Sequence, residues 1–427
     1  MKKLFLLVLS TVFVTSAMFA QQFDLSAEIR PRYENKNGFK SLRAKDQKSG
    51  NFISQRTRLN FDYKHGSRMA FKVALQNVFV WGDAATMSVN SQVTSLQQAW
   101  AEVFLIDKLS LKLGRQEIVY DDHRIFGNVG WAQQARSHDA FLIKYKPSDK
   151  HRLDVGFAYS ADNQGGVDAL YSNAAGYKTF QYAWYHGDFD KIGLSFLALN
   201  TGIQYLKDAG LSTETKKTTF MQTFGPRLTM KFDKFSADVS GYVQTGKALE
   251  SDVFAYNAAL NARYQVIDML TIGLGAEMLS GKSMDDTDTK VKSFAPLFGT
   301  NHKFNGWMDY FYVGNHGNSV GLTDVYATFV LKKGKFLAKL IPHAFLSGAN
   351  IFRGTEKMGS YLGAEVDFML KYKINPSVAV SGGYSQMIAS ESMEVLKGGD
   401  RNAFNSWAWV MFTFKPKLIS YKFPEKK

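Results

Sequence analysis

Four arginines sit at two-residue spacing in two nearby segments: Arg30 and Arg32, then Arg56 and Arg58. Two acids share their spacing, Glu28 and Asp62. A guanidinium holds a carboxylate or phosphate through paired, charge-assisted hydrogen bonds, so such a ladder has the chemistry of an anion-binding wall. The same residues could also pair with Glu28 and Asp62 and simply stiffen that wall. Other groupings suggest different chemistry but fit it poorly. Ser137 and His138 are adjacent, so on a strand they point to opposite faces and cannot act as a nucleophile and its base. Asp121, Asp122 and His123 are consecutive, and three adjacent residues rarely converge on one metal ion. Asp285, Asp286 and Asp288 lack the glycine and distal glutamate of a calcium loop and read as a solvated acidic stretch. No cofactor or metal site is expected.

The elements that would carry the arginines are strands. Leu25, Ala27, Ile29 and Tyr33 take one face of the first segment, and Glu28, Arg30 and Arg32 the other. Leu59, Phe61 and Tyr63 oppose Arg56, Arg58, Asn60 and Asp62 in the second. The same period of two runs through Phe71–Gln76, Leu153–Tyr159, Phe235–Val243, Phe254–Tyr264, Leu270–Met278, Leu362–Tyr372 and Val410–Phe414. Apolar side chains on every second position suit a wall with lipid outside and water inside, and a sheet crossing a bilayer must close because hydrocarbon satisfies no backbone group.

The expected fold is therefore all-β: a transmembrane, antiparallel, up-and-down barrel of roughly eighteen strands, with sixteen still compatible. The connections carry the count. Eight read as short turns, near Lys64–Arg68, Asp107–Lys108, Pro147–Lys150, Gly187–Lys191, Asp233–Lys234, Ile267–Met269, Lys332–Lys335 and Asn375–Pro376. Nine read as longer loops, about 35–51, 81–93, 120–135, 161–177, 201–217, 246–252, 281–320, 348–359 and 389–403. Short turns belong on the periplasmic side and long loops outside. The longest loop could fold inward and narrow the pore. The last strand ends in Val410, Phe412 and Phe414, like the aromatic-ended signal read by the barrel-assembly machinery. Beyond it, either a tail hangs in the periplasm or the strand resumes and ends near Phe423.

The first twenty residues read as a secretion signal: Lys2 and Lys3, an apolar run from Leu4 to Val14, then small residues before a cut between Ala20 and Gln21. Residues 21–427 would form one outer-membrane domain of a Gram-negative cell. With no cysteine in the chain, neither a disulfide nor a lipoprotein anchor is available. A net charge of +14 points to anionic partners, namely lipopolysaccharide and acidic solutes, while a secretion signal argues against nucleic acid.

One stretch is more specific. Gly114–Tyr145 contains Gly114, Arg115 and Gln116, then Asp122, Arg124 and Gly127, then Trp131, then Arg136, Ser137 and Asp139. It resembles the signature region of the alginate-export family of outer-membrane barrels. The resemblance implies an eighteen-stranded channel with an arginine-rich constriction passing acidic polysaccharide. On that reading the pore residues are Arg30, Arg32, Arg56, Arg58, Arg115, Arg124, Arg136 and Arg152. Parity puts Arg136 inward but gives Arg115 the face of Leu109, Leu111 and Leu113. A bulge at Gly114 would turn Arg115 inward, and without one it sits at the headgroup rim. The short turn at Asn375–Pro376 departs from the alginate exporter, which has a long periplasmic turn as a plug. The alternatives are thus an anion-preferring uptake porin for small acidic solutes, or an outer-membrane barrel enzyme, for which no His-to-Gly-x-Ser arrangement is present.

Overall fold

The computed structural model describes residues 21–87, 94–161, 176–311 and 319–423. The proposed signal segment, and parts of the loops expected at 81–93, 161–177 and 281–320, lie outside the described residues. The strands run β1 (Gln21–Asn37), β2 (Gly50–His65), β3 (Met69–Val80), β4 (Thr94–Ile106), β5 (Leu109–Gln116), β6 (His138–Ser148), β7 (His151–Tyr159), β8 (Thr179–Phe189) and β9 (Ile192–Lys207). They continue as β10 (Thr215–Phe232), β11 (Phe235–Ala248), β12 (Ser251–Ile267), β13 (Leu270–Leu279), β14 (Leu322–Lys333) and β15 (Phe336–Leu346). A two-residue ribbon, β16 (Phe352–Arg353) and β17 (Glu356–Lys357), stands in an outer loop. The wall resumes with β18 (Tyr361–Asn375) and β19 (Val378–Ala389). Helix α1 (Glu391–Lys397) precedes β20 (Asn405–Phe414) and β21 (Lys417–Lys422).

Each barrel strand pairs antiparallel with its neighbours in sequence, and β20 and β21 together close the wall on β1 as one stave, giving an 18-strand barrel. The strand therefore resumes after Phe414, and Phe423 N–H donates to the Gln21 carbonyl at 2.9 Å.

The two faces of a strand meet different solvents. In β7, Leu153, Val155, Phe157 and Tyr159 are 37–57% exposed, while Asp154 and Ala158 are at most 1% exposed. Exposed large apolar groups at every second position are a lipid-facing surface. Phe61 shares the outward face of β2 with the exposed Leu59 and pairs with Leu25 and Val73, whereas Asn60 is of inward parity and bonds to Ser26. Phe61→Arg is expected to cost about 2–4 kcal/mol near the bilayer midplane and to block assembly. Asn60→Arg should assemble normally. Folded yield in lipid vesicles checks both, and the reverse order of severity would refute this register.

All eight short turns fall where the spacing places them. Two outer connections are shorter than expected: the one placed at 201–217 shrinks to 208–214 because β9 and β10 stay paired to Lys207 and Thr215, and 246–252 is a tight hairpin, with Ala248 opposite Ser251 and only Leu249 and Glu250 between them. Leu249 supplies a left-handed residue at φ 53° that lets the chain reverse so sharply. The expected bulge at Gly114 is also absent. Although Gly114 has φ 110°, the β5 register runs unbroken from Leu109 to Gln116 against β6. Arg115 therefore keeps the outward face and pairs with Asp139 at 2.9 Å, both side chains well exposed.

Candidate functional site

Two outer loops turn inward and meet in the lumen: the third (117–137) and the seventh (280–321). They touch as backbones. Gly127 N–H donates to the Phe298 carbonyl and Thr300 N–H to the His123 carbonyl, each at 2.9 Å. Thr300 Oγ1 accepts from Val129 N–H at 3.1 Å. The approach requires Gly127, because a Cβ there would lie 2.3 Å from Thr300 Oγ1. Val129, a β-branched residue, is held at φ 48°, a conformation the clasp must impose.

The third loop also brings apolar side chains. Phe126 is 1% exposed and packs on Phe298, Phe180 and Tyr182. Burying one such ring is worth roughly 1.5–3 kcal/mol. Tyr120 stacks on Trp184 at 4.4 Å and donates to Asp154 Oδ2 at 2.7 Å. Burial first, then Tyr182 and Asp154, hold its phenol well above the ordinary range, so it stays a donor. The inner faces of β8 and β9 are consequently apolar (Phe180, Tyr182, Leu197, Leu199), because these loops keep them dry.

Two charged walls hold the loops by opposite chemistry. Arg30 donates to the carbonyls of Gly130, Trp131 and Ala132 and to the Gln133 side chain, at 2.8–3.2 Å. Arg32 donates to the Trp131 carbonyl at 2.7 Å and lies 4.1 Å over the indole. Arg56 pairs with Glu28 and reaches the Gln133 carbonyl at 3.3 Å. Arg58 holds Gln76, which donates to the Gln134 carbonyl. Elsewhere on the wall, acids grip the seventh loop. Glu365 accepts from Met308 N–H at 2.8 Å, Asp367 from Trp307 N–H at 3.1 Å, and Glu277 from Asn305 at 2.7 Å. Arg124 links the systems, with an ion pair to Glu277 at 2.7 Å and contacts to Asn301 and Asn305.

The signature residues are thus parts of this clasp. Asp122 caps Arg124 N–H at 3.1 Å, Gly127 allows the close approach, and Trp131 stacks on His302. Arg136 donates to the Gly299 carbonyl at 3.0 Å, and Ser137 accepts from Gln97. Arg152 faces inward near the periplasmic turn, paired with Asp154. Arg30, Arg32, Arg56 and Arg58 do come together on one inner wall, as their spacing requires, but each is 4–8% exposed beneath the loop. Asp62 pairs with Lys72 and not with an arginine.

The model of the alginate export family matches residues 21–403. The chain belongs to the alginate export family. Among curated proteins none matches. Solved structures share the fold. Acinetobacter baumannii OccAB4 and Pseudomonas aeruginosa OccK9 (OpdG) each give a TM-score of 0.63 at 12% identity. The alignments cover 94% and 93% of this chain and 99% and 98% of theirs. Pseudomonas aeruginosa OpdK with vanillate gives 0.60 at 11% identity, over 93% of this chain and 99% of its own. This alginate export family member is an outer-membrane channel of a Gram-negative cell.

The space its loops leave is divided. An outer vestibule of about 1110 Å³ is walled by Tyr205, Leu206, Met284 and Leu297 among others. A second cavity of about 310 Å³ lies toward the short-turn end, between residues 303–307 of the seventh loop and the wall from β10 to β15. Four cations line it, Arg227, Arg263, Lys303 and Lys339, with four acids, Asp122, Asp238, Glu277 and Asp324, beside Phe304, Trp307 and Tyr326. Arg227 lies 3.6 Å from Asp122 and 3.5 Å from Asp238, and Arg263 is 3.1 Å from Asp238. Lys339 lies 5.6 Å over Trp307. Lys303 and Lys339 escaped the sequence reading as pore residues: Lys303 sits in an irregular loop with no parity, and Lys339 in a strand whose alternation is interrupted by Pro342.

Proposed function

We propose that this channel passes small acidic saccharides and related organic anions by passive diffusion. The observation that carries the reading is the mixed lining of the inner cavity, where Arg227, Arg263, Lys303 and Lys339 stand among four acids beside Phe304, Trp307 and Tyr326. Arg263 and Lys339 offer charge to a carboxylate, while Trp307 and Tyr326 offer flat apolar faces to a sugar ring. The neighbouring acids Asp122, Asp238 and Asp324 suit hydroxyl groups. Arg30, Arg32, Arg56 and Arg58 are then positioning residues, because their donors are spent on the third loop and its supports. A barrel of the same fold, OpdK, has been solved with vanillate, a small carboxylate.

The clasp favours small solutes over polymer. Two loops joined by backbone hydrogen bonds cross the lumen, and a long chain would pass only if they parted. Export of an anionic polysaccharide, the second reading, is favoured by the family itself. Delivery to the outer membrane through the barrel-assembly machinery fits the aromatic-ended final strand. No chemistry of its own is proposed for the barrel. His186 Nδ1 does lie 2.8 Å from Ser195 Oγ, with Nε2 3.2 Å from Asp188, but Ser195 is 3% exposed within the sheet and a substrate would not reach it.

Planar-bilayer recording in a salt gradient tests the proposal. A cation at contact distance is worth about 1 kcal/mol on an anion even in water. Arg263→Gln with Lys339→Gln should lower the anion-to-cation permeability ratio at least about threefold, and monomeric uronate should block the wild type more than the variant. An unchanged reversal potential would remove these residues from the path. Polymer trapped in the periplasm of a deletion strain would instead favour export.

A further inference from the structure

Lipid-facing aromatic and apolar residues at the outer rim normally meet headgroups through polar tips. Near the start of β12 they meet two lysines. The segment around Val291, from the seventh loop, lies alongside β12 beyond the end of β13: Val291 bridges Val253, its N–H donates to the Asp252 carbonyl at 2.8 Å, and its carbonyl accepts from Phe254 N–H at 3.0 Å. The loop thus extends the wall upward and sets Lys290 and Lys292 beside the outward face of the barrel. A groove of about 390 Å³ is lined by both lysines and Asp288 together with Phe254, Tyr256 and Met278. Those three side chains are 60%, 43% and 39% exposed. Phe254 lies only a few residues below the tight Leu249–Glu250 turn, so the groove spans the boundary between the apolar band and the outer headgroups.

We propose that this groove is a binding site for a phosphorylated lipid of the outer leaflet. Its acyl chains would lie along Phe254, Tyr256 and Met278, and its phosphate would meet Lys290 and Lys292. Charge complementarity selects this occupant. Lys292 is held at the groove by Asp286 at 2.6 Å and Asp288 at 3.3 Å, which offset its own charge, so the charge offered to a phosphate is mainly that of Lys290. Lys290 makes no ion pair among the described residues and keeps its three donors for a ligand. A soluble anion would leave the apolar floor bare. An amphiphile uses both halves, and binding to a membrane surface through one apolar and one basic contact is the general rule for lasting lipid attachment. The site lies outside the lumen and is independent of the transport reading.

Native mass spectrometry of the full chain in detergent tests it, with a bisphosphorylated acyl-diglucosamine lipid, the same lipid dephosphorylated, and inorganic phosphate as three separate probes. The phosphorylated lipid should be retained, with affinity falling about fivefold for Lys290→Gln and again for the double change with Lys292→Gln. Lys290→Arg should keep it. The dephosphorylated lipid should bind wild type no better than the phosphorylated lipid binds the double variant. Unchanged single-channel conductance would confirm that the variants are folded. Equal retention of phosphorylated lipid by wild type and double variant would overturn the proposal. So would competition by inorganic phosphate at the lipid's own concentration, or dimers of the chain in place of lipid adducts.

Discussion

Arg124→Ala is expected to destabilise the barrel by roughly 3–5 kcal/mol and to raise its conductance. Arg124 is 2% exposed and Glu277 4% exposed, so neither charge has water as an alternative partner. Without the guanidinium, Glu277 is left buried beside Asp324 with only the amides of Asn257 and Asn305 as donors. An uncompensated buried charge costs far more than the pair contributed. The same side chain ties the third loop to Asn301 and Asn305 of the seventh, so the clasp loosens as stability falls. Urea titration of the folded barrel in lipid measures the first effect and single-channel recording the second. The double change with Glu277→Gln should recover most of the stability, because it removes the orphaned charge. A double variant no more stable than Arg124→Ala would mean that the ionic contact is not what holds the loops.

Arg30→Ser combined with Arg32→Ser should also open the pore, while leaving ion selectivity nearly intact. Charge-assisted hydrogen bonds are worth about 1.5–3 kcal/mol each, and these two side chains hold the Gly130–Gln133 stretch through several. Losing them frees that stretch and the Trp131 ring, whose stacking on Arg32 and His302 packs the third loop against the inner wall on this side. Conductance should rise several-fold. The anion-to-cation ratio should move less than in the Arg263→Gln, Lys339→Gln variant. The opposite pattern, lost selectivity at unchanged conductance, would make the arginine ladder a solute-facing wall.

The alternation in β7 and the short turns are written in local chemistry: a strand repeats every two residues, and lipid tolerates nothing polar on one parity. Strand number and the inward parity of Arg30, Arg32, Arg56 and Arg58 could therefore be read from the chain, while the resumption of the last strand after Phe414 was settled only by its pairing with β1. So could the residues of the signature stretch. β8 and β9 were less legible, because Phe180, Tyr182, Leu197 and Leu199 face a lumen that in-folded loops have dried, and both faces became apolar. The Leu249–Glu250 turn was misread as a longer loop because its polar flanks, Thr245 to Asp252, are paired strand ends.

What the arginines do was decided only by tertiary structure. Parity says which way a side chain points and nothing about what lies opposite. A loop about a hundred residues further along the chain places carbonyls against Arg30 and Arg32, and spends donors that would otherwise face a solute. Arg115 is the converse case: its parity was plain in the sequence, and the unbroken register of β5 kept it outside. The cations around the inner cavity, Arg227, Arg263, Lys303 and Lys339, come from three strands and a loop. Only closure of the barrel brings them around one cavity, since no local rule relates positions so far apart.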